Sequence, residues 1–336
     1  MSVKVSVLGA GSWGTALAML LASKYDDVIL WEFRPDVASE LATLRENKLM
    51  LPGVPIPEKI HITSDFEKSA RYRDVLVLAV PSHIMRKVAE RLREVDFGKA
   101  ILVSVAKGIE NDTLLRMSQV IQQVLPELPS TQLAVLSGPS HAEEVARKIP
   151  TTVVSASSNL KTAQEVQRIF MTSNFRVYAS EDLIGVELGG SLKNIIAIGA
   201  GISDGVGYGD NTKAALMTRG LVEITRLGTA MGADPMTFAG LSGMGDLIVT
   251  CMSRHSRNRY LGEQIGKGKT LQQVLDEMVM VAEGVRTTRS AHDLAQKYGV
   301  EMPITEQVFK VLFEDKPPKE AVIELMERGA KVEKWG

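Results

Sequence analysis

The segment Gly9-Ala10-Gly11-Ser12-Trp13-Gly14 constrains the fold of this 336-residue chain more than any other stretch. It fits the pattern G-x-G-x-x-G, follows an apolar run over 3–8 and opens a helical pattern over 13–23. A lone match to this pattern is weak, but a strand before it and a helix after it are the context of a dinucleotide-binding turn. In such a turn the glycines allow a tight bend, close approach to a pyrophosphate, and close packing of helix on strand. The context therefore favours a cofactor turn over a plain glycine-rich turn.

The first half of the chain alternates short apolar runs with helical patterns. The runs predict strands at 3–8, 28–31, 75–80, 101–105, 133–136 and 152–155, with helices at 13–23, 84–94 and 114–124. Near-continuous Val, Ile and Leu runs are typical of a parallel sheet that is covered on both faces. Alternation of strands and helices indicates a doubly wound α/β domain.

The pattern changes near residue 180. Helical patterns without good strand runs follow at 182–202, 211–231, 283–298 and 304–313, and a Pro-rich loop precedes a last helix. A length of 336 residues agrees with about two domains of roughly 150 residues each. The sequence thus predicts an α/β fold class: a doubly wound, mostly parallel Rossmann-type sheet over 1–182, followed by an all-helical C-terminal substrate and catalytic domain over 183–336.

Composition narrows the class of partner. The formal net charge of −1 gives no overall field that would attract nucleic acid or a membrane surface. The single cysteine, Cys251, cannot form an internal disulfide, which fits a reducing compartment. The start of the chain lacks a signal-peptide pattern, and the longest apolar stretch, 195–202, falls short of the ~20 residues of a membrane span. The five histidines are scattered, so no metal-site spacing is present. We expect a cytoplasmic protein without stable membrane insertion.

The end of the second predicted strand carries two charges with opposite implications. An acidic residue about 20 positions after the glycines holds the ribose 2′-hydroxyl of NAD, whereas an arginine there accommodates the 2′-phosphate of NADP. Glu32 fits the first role and Arg34 fits the second. Either charge could also be a solvated loop residue. The choice between NAD and NADP therefore stays open.

Lys193 interrupts a helical pattern that is otherwise apolar or small. On a helix it shares a face with Gly189, Gly190, Ala197 and Ala200. A lysine inside a buried helix is unfavourable unless it is paired, and burial lowers its pKa toward the range that proton-transfer chemistry requires. A salt-bridged structural lysine is the alternative interpretation, and these residues alone favour neither.

A basic cluster, Ser253-Arg254-His255-Ser256-Arg257-Asn258-Arg259, lies in the second half. Guanidinium groups bind phosphate bidentately, and hydroxyl and amide groups complete such a shell. No aromatic platform or wider basic stripe accompanies the cluster, which argues against a nucleic-acid site. It indicates a local site for a small anion, with a solvated surface loop as the alternative.

The glycine-rich segment Gly240-Leu241-Ser242-Gly243-Met244-Gly245-Asp246 precedes that cluster. Its glycines indicate close approaches of backbone, and Asp246 could orient a catalytic lysine. An aspartate that caps a helix N-terminus is the competing interpretation.

Taken together, these segments resemble the NAD(P)-dependent glycerol-3-phosphate dehydrogenase family, nearly end to end. The segments that carry the resemblance are Gly9-Ala10-Gly11-Ser12-Trp13-Gly14-Thr15-Ala16, Lys107-Gly108-Ile109, Ser137-Gly138-Pro139-Ser140, Glu187-Leu188-Gly189-Gly190-Ser191-Leu192-Lys193-Asn194, Gly243-Met244-Gly245-Asp246 and Ser256-Arg257-Asn258-Arg259. Many dehydrogenases share the opening motif, whereas the full ordered set is specific.

The resemblance implies a role for individual residues. Lys193 is implied as proton donor and acceptor, with Asp246 beside the substrate. The implied substrate contacts are Lys107, Gly138, Ser140, Ser256, Arg257 and Asn258. The cofactor contacts, including the glycines of the turn, are Gly9, Gly11, Ser12, Trp13, Gly14, Phe33, Arg34, Lys107, Ala142, Arg257, Val281 and Glu283. His141 and Cys251 match no role in the family.

The implied reaction is hydride transfer between NAD or NADP and the pair dihydroxyacetone phosphate and sn-glycerol 3-phosphate, which supplies glycerophospholipid synthesis. The resemblance also implies a homodimer. Many family members have a basic residue at the position of Phe33, with small residues before it, so the resemblance leaves the choice between NAD and NADP open for this chain. Two alternatives are another two-domain hydroxyacid- or phosphogluconate-type dehydrogenase and a non-catalytic NAD(P) sensor.

Overall fold

The computed structural model describes residues 3–278, 282–330 and 332–333. The chain divides into two compact units, one of Met1–Ala106 with Met117–Leu183 and one of Lys107–Arg116 with Ile184–Gly336. The junction after Leu183 lies one residue from the predicted domain boundary. The segment 107–116 departs from the predicted continuous first domain, because the chain leaves the first unit there and returns to it.

The first unit is built on an eight-stranded sheet with the order β10-β9-β8-β7-β6-β1-β2-β5. Neighbouring strands are parallel except β8 and β9, which are antiparallel, so the predicted mostly parallel, doubly wound class is confirmed. The strands are β1 Val5–Leu8, β2 Val28–Trp31, β3 Glu46–Asn47, β4 Leu51–Pro55, β5 Ile60–Thr63, β6 Val75–Leu78, β7 Ile101–Ser104, β8 Leu133–Ser137, β9 Thr151–Ala156 and β10 Phe175–Ser180. Strands β3 and β4 form a separate antiparallel pair.

The two strands at the edges of the sheet were not predicted. β1, β2 and β6 are buried along their whole length, as continuous apolar runs require. β5 and β10 instead alternate buried and more exposed residues, because an edge strand is covered less completely. Their alternating polar residues hide them from a search for apolar runs.

The described residues of the first unit form seven α-helices: α1 Ser12–Ala22, α2 Pro35–Leu44, α3 Phe66–Ala70, α4 Met85–Leu92, α5 Met117–Val124, α6 Ala142–Ala146 and α7 Leu160–Phe170. The helix predicted over 114–124 begins only at Met117. Leu114 has a φ of 60°, which is left-handed and cannot continue an α-helix. The predicted start of that helix was therefore wrong.

The described part of the second unit contains helices and no named strand, as predicted. They are α8 Leu183–Val206, α9 Asp210–Ala230, α10 Pro235–Phe238, α11 Asp246–Met252, α12 Arg257–Gly266, α13 Leu271–Glu277, α14 Glu283–Tyr298, α15 Pro303–Phe313 and α16 Pro318–Met326. A short π-helical turn, Leu241–Gly245, leads into α11.

Helix α8 runs four residues past the end of the helix predicted over 182–202 and is much longer than the apolar stretch 195–202. Its 24 residues are enough to cross a membrane by length and composition, but 83% of its most apolar window is buried within the structure. Burial of Glu187 and Lys193 on this helix shows that it is surrounded by protein, and it forms the centre of the second unit's apolar core.

The segment 107–116 packs into the helical unit. Ile109 is 2% exposed and belongs to that unit's apolar core. The Ser290 hydroxyl on α14 donates a hydrogen bond to the Asn111 side-chain oxygen at 2.7 Å. Arg116 forms a buried ion pair with Glu187 on α8. The segment is thus attached to the helical unit by apolar burial at Ile109, a hydrogen bond at Asn111 and an ion pair at Arg116.

One buried carboxylate, that of Glu223, caps the start of α15 in the helical unit. Glu223 on α9 is 3% exposed, and its oxygens accept hydrogen bonds from the backbone N–H groups of Ile304 at 2.6 Å and Thr305 at 3.1 Å. These are free N–H groups at the start of α15, which a helix cannot satisfy itself. Burial nevertheless raises the pKa of Glu223 to about 7.

Candidate functional site

The glycine turn has the geometry that its sequence predicts. Gly9 has a φ of +117°, and a Cβ there would lie 2.6 Å from the carbonyl oxygen of Ala79. A Cβ on Gly14 would clash with the carbonyl oxygen of Gly9, so α1 can start close to β1 only with glycine at this position. A Cβ on Gly11 would meet nothing within 4 Å. The backbone therefore requires Gly9 and Gly14, while Gly11 faces open space at the start of a helix.

That open space fits the pyrophosphate of a dinucleotide. Gly11 is the N-cap residue of α1, and no side-chain cap hydrogen bond is present there. The first N–H groups of a helix and its partial positive charge bind phosphate groups. Ser12 is buried, and the indole N–H of Trp13 is buried without a hydrogen-bond partner among the described residues. The turn therefore places hydrogen-bond donors next to the open space at Gly11.

The other candidate residues of the first unit follow the ends of strands. Gly138 comes directly after β8 with a φ of +133°, and a Cβ there would approach Val153 Cα to 3.0 Å. The Ser140 hydroxyl donates to the Gly138 carbonyl at 2.9 Å, and Ala142 begins α6. Strands β1, β2, β6, β7 and β8 are parallel neighbours, so these residues lie at the same carboxyl edge as the glycine turn, where ligands bind in open α/β sheets.

The two charges after β2 pair with each other. The Arg34 Nε donates to Glu32 Oε1 at 3.2 Å, and the Arg34 backbone N–H reaches the same oxygen at 3.3 Å. The Glu32 side chain is 8% exposed and that of Arg34 is 46% exposed. Phe33 between them is exposed. The opposing indications for NAD and NADP thus come from the two partners of one ion pair.

A cluster of charged side chains lies inside the second unit. Lys193 on α8 and Lys107 from the 107–116 segment both donate to Asp246 at the start of α11, Lys107 at 2.8 Å to Oδ2 and Lys193 to Oδ1. Lys193 Nζ also donates to the Thr250 hydroxyl at 2.6 Å. We call Lys107, Lys193, Asp246 and Thr250 the lysine cluster. The Asp246 side chain is 1% exposed and that of Lys193 is 6% exposed, whereas that of Lys107 is 19% exposed.

Burial strongly affects the pKa of Lys193. It lowers the pKa of Lys193 to about 7, a change that the charge of Asp246 opposes and that of Lys107 assists. An amine with this pKa can both donate and accept a proton near neutral pH. Two lysines and one aspartate leave a net charge of +1 when all three are ionised, which favours an anion nearby. Burial also raises the pKa of the adjacent Cys251 thiol to about 12, so that residue stays a neutral, buried side chain.

Asp246 does not act as the N-cap that the alternative interpretation suggested. Gly245 is the N-cap of α11, and both carboxylate oxygens of Asp246 accept from lysines. Thr250 is a polar member of the cluster that was not predicted from the sequence. It stands four residues after Asp246 on the same helix face, and its hydroxyl donates to the Asp246 carbonyl at 2.6 Å. The i, i+4 spacing was the available signal.

The basic cluster of residues 253–259 divides into residues with different environments. Arg259 forms an ion pair with Asp204 at 2.7 Å, and the Ser256 hydroxyl caps α12 by accepting from the Arg259 N–H at 3.2 Å. Arg257 and Arg254 are exposed. The three arginines therefore do not form one uniform anion site, and Arg257 at the start of α12 is the member that combines exposure with a helix N-terminus.

Asn258 joins three helices. Its Nδ2 donates to Asn194 Oδ1 on α8 at 3.0 Å, and its Oδ1 accepts from the Gly284 N–H on α14 at 2.9 Å. Asn258 is 8% exposed, so its amide is largely used within the protein. Among the implied cofactor contacts, Glu283 is the first residue of α14, while Val281 lies outside the described residues.

Comparison with known proteins identifies the family. Two family profiles match, the NAD-dependent glycerol-3-phosphate dehydrogenase N-terminus over 4–163 and its C-terminus over 182–323. The chain belongs to the NAD-dependent glycerol-3-phosphate dehydrogenase family. The resemblance found in the sequence is thereby confirmed.

Relatives within the family agree over nearly the full length. The chain is 56% identical to the glycerol-3-phosphate dehydrogenase [NAD(P)+] of Chlorobium phaeobacteroides over 331 residues, covering 98% of this chain and 99% of the relative. It is also 56% identical to a glycerol-3-phosphate dehydrogenase [NAD(P)+] of Salinibacter ruber, covering 98% and 97%. The crystal structure of the Coxiella burnetii glycerol-3-phosphate dehydrogenase matches with a TM-score of 0.92 at 40% identity, covering 97% and 99% of the two chains.

Proposed function

We propose that the chain is a glycerol-3-phosphate dehydrogenase that interconverts dihydroxyacetone phosphate and sn-glycerol 3-phosphate with NAD or NADP. Both halves of the chain match this family. The observation in the structure that supports the chemistry best is the lysine cluster, in which a buried amine with a pKa of about 7 is held by Asp246 and Thr250. Reduction of a ketone by hydride leaves an alkoxide oxygen, and such an amine can supply the proton that this oxygen needs.

The first unit would hold the nicotinamide cofactor. Its proposed contacts are Gly9, Gly11, Ser12, Trp13, Gly14, Phe33, Arg34 and Ala142. When bound, the cofactor supplies or accepts the hydride. The open space at Gly11 and the first N–H groups of α1, which the helix cannot satisfy itself, support this assignment. The further proposed cofactor contacts are Arg257, Val281, Glu283 and Lys107.

Lys193 is proposed to transfer the proton. In the reductive direction its ammonium would donate to the alkoxide oxygen that forms from the carbonyl, and in the oxidative direction the neutral amine would accept the hydroxyl proton. A positioned proton donor typically accelerates a reaction by about 10²–10⁴-fold. Asp246 fixes both lysines through separate oxygens, so Lys107 would add a second positive charge that stabilises the same oxygen.

The substrate phosphate is proposed to bind at the start of α12. Arg257 is exposed there, and a guanidinium binds phosphate bidentately. Ser256 and Asn258 would complete the shell, with Lys107, Gly138 and Ser140 as further substrate contacts. Since Asn258 already makes two hydrogen bonds within the protein, only its second amide hydrogen would be left for a ligand.

We further propose that the units act as a dinucleotide-binding domain and a catalytic domain, with 107–116 contributing to the latter. The enzyme would be a cytoplasmic homodimer that supplies glycerophospholipid synthesis. Light scattering of the purified chain would test the dimer: a mass of a single chain at micromolar concentration would contradict it.

The reaction itself is tested by adding dihydroxyacetone phosphate and following loss of reduced nicotinamide absorbance, with NADH and NADPH in parallel. We expect rapid oxidation. Turnover of hydroxyacids or 6-phosphogluconate in place of this substrate would support the sister dehydrogenases. Binding of cofactor without turnover on any carbonyl substrate would support the sensor.

The phosphate site is tested with Arg257→Ala, for which we expect KM for dihydroxyacetone phosphate to rise at least about tenfold, because a charge-assisted phosphate contact is worth roughly 1.5–3 kcal/mol. Arg254→Ala is the matched control, since it removes an equal and exposed charge three residues away. An equal rise of KM in the two variants would show that the loss of one positive charge in this region, and not a specific contact of Arg257, weakens substrate binding.

A further inference from the structure

The ion pair that follows β2 lies where a dinucleotide-binding domain distinguishes NAD from NADP. The inference drawn from it rests on the proposed function. The relevant residues are Glu32, Phe33 and Arg34. They lie at the carboxyl end of β2, next to β1 and its glycine turn. In a dinucleotide-binding domain this is where the adenosine ribose is bound.

The hydrogen bonds of Glu32 occupy only one side of its carboxylate. Both the Arg34 N–H and Nε donate to Oε1, whereas Oε2 receives no hydrogen bond from any residue in the described part of the chain. An ionised carboxylate is an acceptor only. Oε2 is therefore suited to accept from the 2′-hydroxyl of a ribose and has nothing to offer a phosphate.

Burial strengthens the selection against a phosphate. The side chain of Glu32 is only 8% exposed, so solvent screens its negative charge less than that of a surface residue. A 2′-phosphate placed near Oε2 would meet this charge, and like charges at short distance repel. Arg34 offsets part of this charge through its contacts with Glu32 Oε1.

Arg34 is oriented toward its own neighbours. Its Nε is engaged by Glu32, and its guanidinium carbon lies 5.4 Å from the centre of the Phe33 ring. Contacts with a carboxylate and an aromatic face both stabilise a guanidinium. To bind a 2′-phosphate, this side chain would share its charge between that group and Glu32.

We propose that the chain prefers NAD(H) over NADP(H), with Glu32 as the discriminating residue and Arg34 as the counter-ion of Glu32. Glu32 accepts the 2′-hydroxyl of NAD(H) and repels the 2′-phosphate of NADP(H). Arg34 orients the Glu32 carboxylate and does not serve as the main ligand of a 2′-phosphate.

The test is the equilibrium binding of NADH and NADPH to the whole chain by isothermal titration calorimetry, without substrate. We expect NADH to bind at least about tenfold more tightly, which corresponds to roughly 1.4 kcal/mol. Glu32→Gln keeps the shape and removes the charge, and it should reduce the preference to about threefold or less by tightening NADPH and weakening NADH.

Asp36→Asn is the matched control, because it removes an exposed negative charge four residues away on α2, and it should leave the preference unchanged. Arg34→Gln separates the two roles of the arginine. If Arg34 is only the counter-ion of Glu32, the ratio of NADH to NADPH affinity in this variant stays within about threefold of the wild-type ratio. Loss of about tenfold in NADPH affinity alone, with NADH affinity unchanged, would show that Arg34 is the phosphate ligand and would overturn the proposal.

The wild-type measurement is decisive even if a variant does not fold. Tighter binding of NADPH than of NADH overturns the cofactor preference and leaves the dehydrogenase assignment intact. Absence of binding by either nucleotide contradicts the proposed function itself.

Discussion

The two units differ in how they use buried charge. Among the described residues, the first unit buries one charged residue, Glu32, whereas the second unit buries Arg116, Glu187, Lys193, Glu223 and Asp246. Turns at strand ends leave backbone N–H groups free for a ligand, but a helix satisfies its own backbone except at its termini. A helical unit must therefore build an interior site from side chains, while a sheet unit can build one from backbone and glycine.

The largest expected effect is on turnover and comes from a change in the lysine cluster. Lys193→Ala should lower kcat by about 10²–10⁴-fold and leave NADH affinity near that of the wild type, because the cofactor turn belongs to the other unit. Steady-state kinetics and calorimetry measure the two quantities. Lys193→Arg keeps the charge with a group that does not release its proton. Near-normal turnover in this variant would mean that charge alone is needed, and the role of proton donor would be wrong.

A matched pair of glycine variants tests whether the backbone of the glycine turn binds the cofactor. Gly11→Ala should weaken NADH binding by about tenfold or more without lowering the melting temperature, since its Cβ meets nothing in the protein. Gly14→Ala should lower the melting temperature even without cofactor, because its Cβ meets the Gly9 carbonyl. Thermal unfolding and calorimetry of both variants separate the effects. Equal affinity of Gly11→Ala and wild type would show that the pyrophosphate binds elsewhere.

The pH dependence of turnover tests whether the buried side chain of Lys193 carries the proton. Reduction needs the Lys193 ammonium, so its kcat should fall up to tenfold per pH unit above a pKa of about 7. Oxidation needs the neutral amine, so its kcat should fall as the pH drops below that value. Profiles of both directions from pH 5.5 to 9 would measure this. Parallel profiles for the two directions would contradict a single group that serves as acid and base.

Buried charge without a proposed catalytic role should affect stability instead. The pKa of Glu223 is raised in the folded state from an ordinary 4.5 to about 7, so its contribution to stability is full below pH 4.5 and is lost as the pH rises through 7. Between pH 6 and 8 the free energy of unfolding should therefore fall by about 1 kcal/mol. Glu223→Gln should remove that part of the pH dependence from the free energy of unfolding in urea. An unchanged slope would mean that Glu223 titrates normally.

The sequence predicted features that depend on neighbours along the chain. The glycine turn and the six continuous apolar strands were recognisable because their signals are local, and Lys193 stood out because its helix is otherwise apolar. What escaped prediction depends on contacts between distant residues. These include the pairing of Lys107 with Asp246 and the internal use of Asn258, since no spacing rule joins residues that many positions apart.

The excursion of residues 107–116 also limits how this chain can be divided. A cut after Leu183 would give a C-terminal fragment that lacks Ile109, which is buried in the core of that fragment's unit. The same fragment would lose Lys107 and with it one of the two ammonium groups that neutralise Asp246. Exchange of C-terminal halves between relatives would therefore pair each Asp246 with another protein's lysine. The helical unit is complete only when two separate stretches of the gene are inherited together.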